Sequence, residues 1–410
     1  MGVRFKVFTA LAALMMVGVL AACGGSDSSS SSSGGGGTSG EPLRVALIAP
    51  ASGPLAVFGK DAVNGWQLAA DEVNAKGGVA GHKVELIKSD TDGSPPKTVR
   101  AARKAVTQDK AGYISAIFTS PEHGALQPQL ASMNAIDING IGQDDSLTGK
   151  ACSPNSFRTV QNGSMNGAAI AASLDQIPAK KWAIIAADYN TGHGAADTFK
   201  KAVEANGGSV VTEQFSPLGA TEYGSYITKL KNSGADGLFM YVIGSDAVAF
   251  INQGDQFKLF DGFKSVVGQN VVSEPLFKAL GPKITGFYNN LGYTNQIDTP
   301  ANKAFVAAYE KKFGAKPYYV PADNYVSALA LFAAVEKAKS VDPAKVKVAF
   351  KGLTFDSLDG SVTIRPEDGQ ILRKNYIGQV VKKGSGLDWK IVNEIGPDKT
   401  TPQANPDCKL

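Results

Sequence analysis

Few residues in this sequence could carry catalysis or hold a metal ion. The three histidines, His82, His123 and His193, are never three or four residues apart. The sequence contains no H-E-x-x-H, C-x-x-C or G-x-S-x-G motif, so it predicts neither a zinc site nor a serine nucleophile. Residues 53–60 imitate a phosphate-binding loop, but five residues instead of four separate the glycines, and Asp61 replaces the magnesium-binding Ser or Thr. We therefore expect no metal, no cofactor and no enzyme activity, and an exported enzyme stays a remote alternative.

Polar side chains instead gather in the loops that follow predicted strands. Open α/β sheets bind ligands at the carboxyl ends of their strands, so these loops carry the candidate binding residues. They are Phe58, Thr119, Ser120, residues 140–144, Asp188, Tyr189, Tyr241, Asp246, Gln269 and Asn270. Ser120 as an N-cap, followed by Pro121, would leave backbone N–H groups free for a carboxylate. Two alternatives stay open: Ser120 only caps its helix, and Tyr241 belongs to the apolar core.

The elements that position these loops follow an alternating pattern of strands and helices. Predicted strands lie at 44–50, 83–88, 114–119 and 136–141, and a second series lies at 182–187, 209–215, 237–243 and 264–268. Alternation with helices predicts parallel, doubly wound sheets. A short echo links the series, because VNAKGG at 73–78 resembles VEANGG at 203–208. After residue 285 a third set of elements follows, which suggests that the chain returns to complete both lobes.

Length and charge exclude several classes of protein. A chain of 410 residues is too long for one ordinary core and predicts two domains. The charge is 41 − 37 = +4, with 43% hydrophobic and 19% charged residues, which is typical of a globular protein. Such a nearly neutral chain predicts no nucleic-acid partner, which would need a clustered basic face.

The first forty residues have the pattern of an export signal followed by a tether. Arg4 and Lys6 precede an uncharged run at 7–22, which is shorter than the ~20 residues of a membrane-spanning helix. The run ends in Leu-Ala-Ala-Cys, and Cys23 then resembles the lipidated cysteine of a bacterial lipoprotein; a plain signal peptide is the alternative. Residues 24–40 are rich in Gly and Ser and form a linker. If Cys23 carries lipid, Cys152 and Cys408 remain, and an oxidising exterior would favour their pairing.

The first part of the body resembles the Leu/Ile/Val-binding protein family. The matching residues are Ser52-Gly53-Pro54, Phe58-Gly59, Gly65, 71–78 (DEVNAKGG), 81–86 (GHKVEL), 90–95 (DTDGSP) and Ala101-Ala102. The likeness continues more loosely to about residue 385. Members are extracytoplasmic receptors of branched-chain amino acid ABC transporters, with the type I periplasmic-binding-protein fold.

The resemblance implies two Rossmann-like lobes joined by three crossovers, near 160–164, 289–294 and 357–373. We expect a signal peptide at 1–22, the lipidated Cys and linker at 23–40, and a C-terminal tail at 386–410. The first lobe would comprise 41–162 and 292–358, and the second 163–291 and 359–385. The implied protein is a monomer that closes on a small ligand and delivers it to ABC permease subunits. It would sit outside the cell membrane, held there only by its lipid.

The resemblance also implies roles for individual residues. Carboxylate contacts map to Thr119, Ser120, Ile141 and Gln143, and the first-loop aromatic maps to Phe58. The second-lobe loop maps to Asp188 and Tyr189. The acid that holds a ligand's ammonium maps near Gln269 and Asn270, which are amides here.

This departure leaves the ligand open. A desolvated ammonium without a counter-charge costs several kcal/mol. Either Asp188 or Asp246 supplies the charge, or the ligand is a small carboxylate, an aromatic acid or an amide. A sensor of the same fold that signals to a membrane partner is the alternative to a transport receptor.

Overall fold

The structure is a computed structural model that describes residues 40–52, 55–408 and 410. The predicted signal peptide, Cys23, most of the linker and the Gly53-Pro54 pair lie outside the described residues. The strands are β1 (Leu43–Pro50), β2 (Val84–Thr91), β3 (Tyr113–Ser115), β4 (Ile136–Asn139), β5 (Ser156–Arg158), β6 (Lys181–Ala187), β7 (Ser209–Ser216), β8 (Gly237–Tyr241), β9 (Ser265–Gly268), β10 (Tyr288–Leu291), β11 (Thr354–Ser357), β12 (Gly360–Ile364), β13 (Ile371–Leu372), β14 (Asn375–Lys383) and β15 (Gly386–Ile395). The α-helices are α1 (Ala56–Asn74), α2 (Pro95–Thr107), α3 (Ser120–Leu126), α4 (Gly163–Ala171), α5 (Asn190–Ala205), α6 (Gly224–Lys231), α7 (Ser245–Gln256), α8 (Glu274–Leu280), α9 (Pro300–Phe313), α10 (Tyr319–Ala338), α11 (Pro343–Phe350) and α12 (Pro397–Thr400).

The first sheet has five parallel strands in the order β2-β1-β3-β4-β5. Its strand β1 is apolar except for Arg44 because both faces are covered, as parallel sheets require. Val45 and Leu47 belong to a core shared with α1 and α10, whereas Ala46 and Ile48 belong to a second core with α2 and α3. This alternation is the period of two that places successive side chains on opposite faces.

The second sheet has seven strands in the order β15-β14-β10-β9-β8-β6-β7. The five strands from β10 to β7 run parallel, and β14 and β15 add an antiparallel edge. Ile184 and Ala186 face a core that includes α5, and Ala183 and Ile185 face the opposite side. The predicted α/β class with parallel sheets is confirmed by this topology.

Two glycines let the first helix of each series approach its strand closely. A Cβ on Gly59 of α1 would collide with the carbonyl oxygen of Pro50, at the end of β1. A Cβ on Gly192 of α5 would collide in the same way with the carbonyl oxygen of Ala187, at the end of β6. Both helices therefore begin directly against the carboxyl end of a strand, which is where a binding loop must turn.

The expected tail at 386–410 is wrong for its first ten residues. Residues 386–395 form β15, which pairs with β14 along nearly its whole length, and Trp389 and Ile395 are each 3% exposed. The prediction failed because β15 alternates apolar and polar residues only weakly, and an edge strand needs no continuous apolar run. β5, α4, β11 and β13 were not predicted from the sequence, whereas a strand was predicted at 360–364, where β12 lies. The small antiparallel sheet β11-β12-β13 occupies the region expected to hold the third crossover.

Two further features concern membrane-spanning helices and the cysteine pair. None of the helices in the described part of the chain combines the length and the apolar character needed to cross a membrane. Cys152 and Cys408 form a disulfide with their Cα atoms 5.5 Å apart.

Candidate functional site

The carboxyl ends of the two sheets meet at a contact between two predicted site residues. Gln143 follows β4 of the first sheet, and Asn270 follows β9 of the second. The Asn270 side-chain amide donates to Gln143 Oε1 at 2.6 Å, and Asn166 Nδ2 donates to the same oxygen at 2.8 Å. The cavity beside this contact is also lined by Glu274, Asn289, Asn290, Tyr293, Tyr319 and Asp323. The two sheets therefore enclose a polar cleft with aromatic walls.

Thr119, and not Ser120, caps helix α3. Thr119 donates from its backbone N–H and its hydroxyl to the buried carboxylate of Glu122, at 2.9 and 2.8 Å. The N-cap prediction for Ser120 was one residue late, because the S/T-x-x-E pattern of a capping box begins at Thr119. Ser120 Oγ instead accepts a hydrogen bond from Asp144 N at 3.1 Å. Ser120 thereby joins the loop after β3 to the loop after β4.

Asn139 shapes the loop after β4. Its Oδ1 accepts from the amides of Ile141 and Gly142 at 3.1 and 2.7 Å, and its Nδ2 donates to the Gly142 carbonyl at 2.9 Å. The Ile141 side chain is 8% exposed and belongs to the apolar core. The Ile141 amide is thus engaged within the loop, and Gln143 is the loop residue whose side chain reaches the cleft.

Two predicted tyrosines meet on the second sheet. The hydroxyls of Tyr189 and Tyr241 are 3.4 Å apart, and their ring centroids are 6.4 Å apart. Burial raises the pKa of both phenols, and the nearby carboxylate of Asp144 adds to the rise. The phenol of Tyr319, in the part of the chain built on the first sheet, also raises the pKa of the Tyr241 phenol. Residues from both sheets therefore approach this pair. Phe58 lies deeper, 7% exposed and stacked on Phe118 with centroids 5.3 Å apart.

The two acids suggested as counter-charges for an ammonium have other partners. Asp188 Oδ1 lies 2.8 Å from His193 Nε2, and 56% of its side chain is exposed. Asp246 Oδ2 accepts from Gly219 N at 2.8 Å. Gln269, which follows β9 and is buried, carries no charge. No carboxylate among these predicted residues is left free inside the cleft.

Glu274, an acid of the cleft, was not predicted from the sequence. Glu274 is the first residue of α8, four positions after Asn270. Burial raises the pKa of its carboxyl to about 7. The Ser273-Glu-Pro sequence marks a helix start, and that is the only signal that could have drawn attention to it.

A buried ion triad lies beside the cleft, which its member Asp323 also lines. Arg373 lies between β13 and β14, and its Nη1 is 2.7 Å from Asp323 Oδ1 of α10. Its Nε is 3.3 Å from Asp359 Oδ2, and all three side chains are at most 1% exposed. Two carboxylates therefore neutralise the guanidinium by direct contact.

Within the described residues, no three His, Cys, Asp or Glu side chains are grouped to hold a metal ion. Residues 42–385 match the family model for periplasmic binding proteins. The chain belongs to the periplasmic binding protein family. The match covers the first sheet, the second sheet except β15, and all the cleft residues named above.

Known periplasmic binding proteins resemble the chain over most of its length. Leu/Ile/Val-binding protein homolog 7 of Brucella abortus is 26% identical over 334 residues, covering 77% of this chain and 82% of that protein. A solute-binding protein of an ABC transporter from Rhodopseudomonas palustris BisB5, in complex with 3,4-dihydroxybenzoic acid, has a TM-score of 0.81 and 27% identity. It covers 88% of this chain and 99% of that chain. A solute-binding protein from Rhodopseudomonas palustris HaA2, in complex with p-hydroxybenzoic acid, has a TM-score of 0.79 and 29% identity over 89% and 98% of the two chains.

These findings confirm the resemblance seen in the sequence and the type I periplasmic-binding-protein fold. This periplasmic binding protein is an extracytoplasmic receptor for a small ligand that serves an ABC transporter.

Proposed function

We propose that the receptor captures a small aromatic carboxylic acid between its two lobes. The observation that carries this proposal is the pair of amides, Gln269 and Asn270, at the position where an amino-acid receptor needs an acid. Asp188 is exposed and paired, and the carboxylate of Asp246 is engaged by a backbone amide. A buried ligand ammonium would find no counter-charge among these predicted residues, at a cost of several kcal/mol. Of the two acids that line the cavity, Asp323 is already paired with Arg373, and burial raises the pKa of the Glu274 carboxyl to about 7.

The walls of the cleft suit an aromatic ring. Tyr293 and Tyr319 line the cavity, and aromatic pairs add about 0.5–1.5 kcal/mol beyond the area that they bury. The side-chain amide of Asn270 can both donate to and accept from a ring hydroxyl. The loops at 119–120 and 141–144 would then hold the carboxylate. Two relatives at 27% and 29% identity carry dihydroxy- and hydroxybenzoic acid, which agrees with this choice.

The proposal includes the parts of the chain that serve transport. The bodies built on the two sheets act as lobes, with 386–395 added to the second, and close on the ligand before a permease accepts it. Cys23 carries the lipid that retains a monomeric receptor at the membrane. The chain performs no catalysis of its own.

A thermal unfolding screen tests the ligand class. The purified protein is heated with 4-hydroxybenzoate, 3,4-dihydroxybenzoate, leucine or valine, and calorimetry then gives each Kd. A true ligand at 100 times its Kd stabilises the fold by about 2.7 kcal/mol. We expect this shift with the hydroxybenzoates and none with the amino acids. The reverse pattern would show that the ligand carries an ammonium and that the aromatic-acid proposal is wrong.

A further inference from the structure

Arg158, at the end of β5, lies buried beneath the loop that would hold the ligand's carboxylate. It is 1% exposed. Its Nη1 donates to the Asp144 carbonyl at 2.6 Å and to the Gly142 carbonyl at 3.4 Å. Nη2 donates to the hydroxyl of Thr148, and Nε donates to Gln370 Oε1 at 2.7 Å. One guanidinium therefore holds the carbonyls on both sides of Gln143 and ties them to the segment between β12 and β13.

None of the hydrogen-bond acceptors of Arg158 is a carboxylate. They are two backbone carbonyls, a hydroxyl and a side-chain amide oxygen. Burial lowers the pKa of the guanidinium to about 10, so it stays charged at neutral pH. The carboxylates of Asp145, Asp368 and Asp144 act on the guanidinium without contacting it and offset part of its charge. Because the low dielectric around a buried charge screens little, the remaining positive potential is available to an anion above the loop.

The contacts of Arg158 also fix the direction of one peptide group. In a trans peptide the C=O and the N–H point in opposite directions. The Gly142 carbonyl points to Arg158 and Asn139, so the N–H of Gln143 points away from them. The neighbouring amides are occupied, Gly142 N by Asn139 Oδ1 and Asp144 N by Ser120 Oγ. Among the residues that the structure describes, the Gln143 N–H has no such acceptor.

Close packing keeps this loop in place. A Cβ on Gly142 would lie 2.6 Å from Cδ2 of His123, so the loop backbone rests directly on the imidazole. His123 is itself fully buried and held by Asp137, with Nδ1 2.8 Å from Oδ2. The loop therefore cannot move toward His123 while Arg158 holds its carbonyl groups.

We propose that Arg158 is a positioning residue that aims the Gln143 N–H at the ligand's carboxylate and supplies the positive potential that favours an anion there. This inference rests on the proposed function, because it concerns the carboxylate end of the same ligand. Arg158 never touches the ligand. Its effect is confined to ligands that present a negative charge to the loop.

The test compares an acid with its neutral amide. Calorimetry measures the Kd of 4-hydroxybenzoate and of 4-hydroxybenzamide for the wild type, Arg158→Met and Arg158→Lys. We expect Arg158→Met to weaken the acid about 10- to 100-fold, the range for a hydrogen bond to a charged group, and the amide less than threefold. Arg158→Lys keeps the charge but not the forked geometry, so it should restore part of the loss. Equal losses for acid and amide would overturn the inference and leave the proposed function standing.

A second measurement needs no variant, and so it holds even if Arg158→Met does not fold. The amide resonance of Gln143 in the wild type is followed by NMR as 4-hydroxybenzoate is added. We expect a large downfield shift and slowed hydrogen exchange, and an unchanged Gln143 amide in a saturated complex would overturn the inference. If the wild type binds leucine and no hydroxybenzoate, the proposed ligand class fails, and leucine with leucinamide then tests Arg158 in the same two ways.

Discussion

Arg158 and Arg373 are both buried arginines near the cleft, and their surroundings differ in charge. Arg373 contacts the carboxylates of Asp323 and Asp359, so three charged groups form a closed set. Arg158 contacts only uncharged oxygens. A guanidinium that is neutralised by contacting carboxylates can fix the segments around it but contributes little electric field elsewhere. A guanidinium whose nearby carboxylates do not contact it is costly to bury and is useful where an anion is to arrive.

Removal of each arginine is the strongest test of this difference between their surroundings. Arg373→Met leaves two buried carboxylates without a cation, and we expect it to lower the free energy of unfolding by about 3–5 kcal/mol. Arg158→Met, the matched control, strands only neutral acceptors and should lower it by about 1–3 kcal/mol. Urea denaturation of the ligand-free protein at neutral pH measures both. Equal losses would mean that the two environments do not differ as their contacts indicate.

Glu274 extends the comparison to a partly buried acid. Burial raises the pKa of its carboxyl to about 7, from 4.5 in the unfolded chain. The folded state therefore holds the proton more tightly, and the stability from this group is complete below pH 4.5 and is lost as pH rises through 7. Glu274→Gln should remove that loss, so relative to the wild type it gains about 1–3 kcal/mol between pH 4.5 and pH 8. Denaturation curves at several pH values measure the difference, and a constant difference would contradict the prediction.

Asp188 adds an exposed acid to this comparison of charged residues. Its side chain is 56% exposed and its partner His193 is 50% exposed. Exposed ion pairs contribute about 0–1 kcal/mol, so Asp188→Asn should change the free energy of unfolding by less than about 1 kcal/mol. We also expect its ligand affinity to stay within about twofold of the wild type, since the carboxylate is held outside the cleft. Asp246→Asn serves as the buried control, and a large loss of affinity in Asp188→Asn alone would return Asp188 to the site.

Local signals in the sequence predicted much of the fold. The strands predicted at 44–50 and 182–187 agree with β1 (Leu43–Pro50) and β6 (Lys181–Ala187) to within one residue, because a short apolar run marks each buried parallel strand. The one-residue error at Thr119 and Ser120 came from two adjacent residues that both suit an N-cap. Strand β15 was missed because an edge strand carries little periodic signal.

The site was predictable where a side chain follows a strand, and not where its role depends on distant partners. Gln143 and Asn270 were both named from their loops, but no local pattern shows that they meet, since 127 residues separate them. Arg158 was missed for the same reason. It ends a strand of only three residues, and its partner Gln370 lies 212 residues further along the chain. Only the folded topology brings these groups together.

The bond between Cys152 and Cys408 has a consequence for how the protein is made. Its cysteines are 256 residues apart along the chain. A ribosome releases the chain from its N-terminus, so Cys152 and the neighbouring loop emerge long before Cys408 is synthesised. The covalent bond therefore forms late, and a chain whose synthesis stops before Cys408 would keep a free thiol at Cys152.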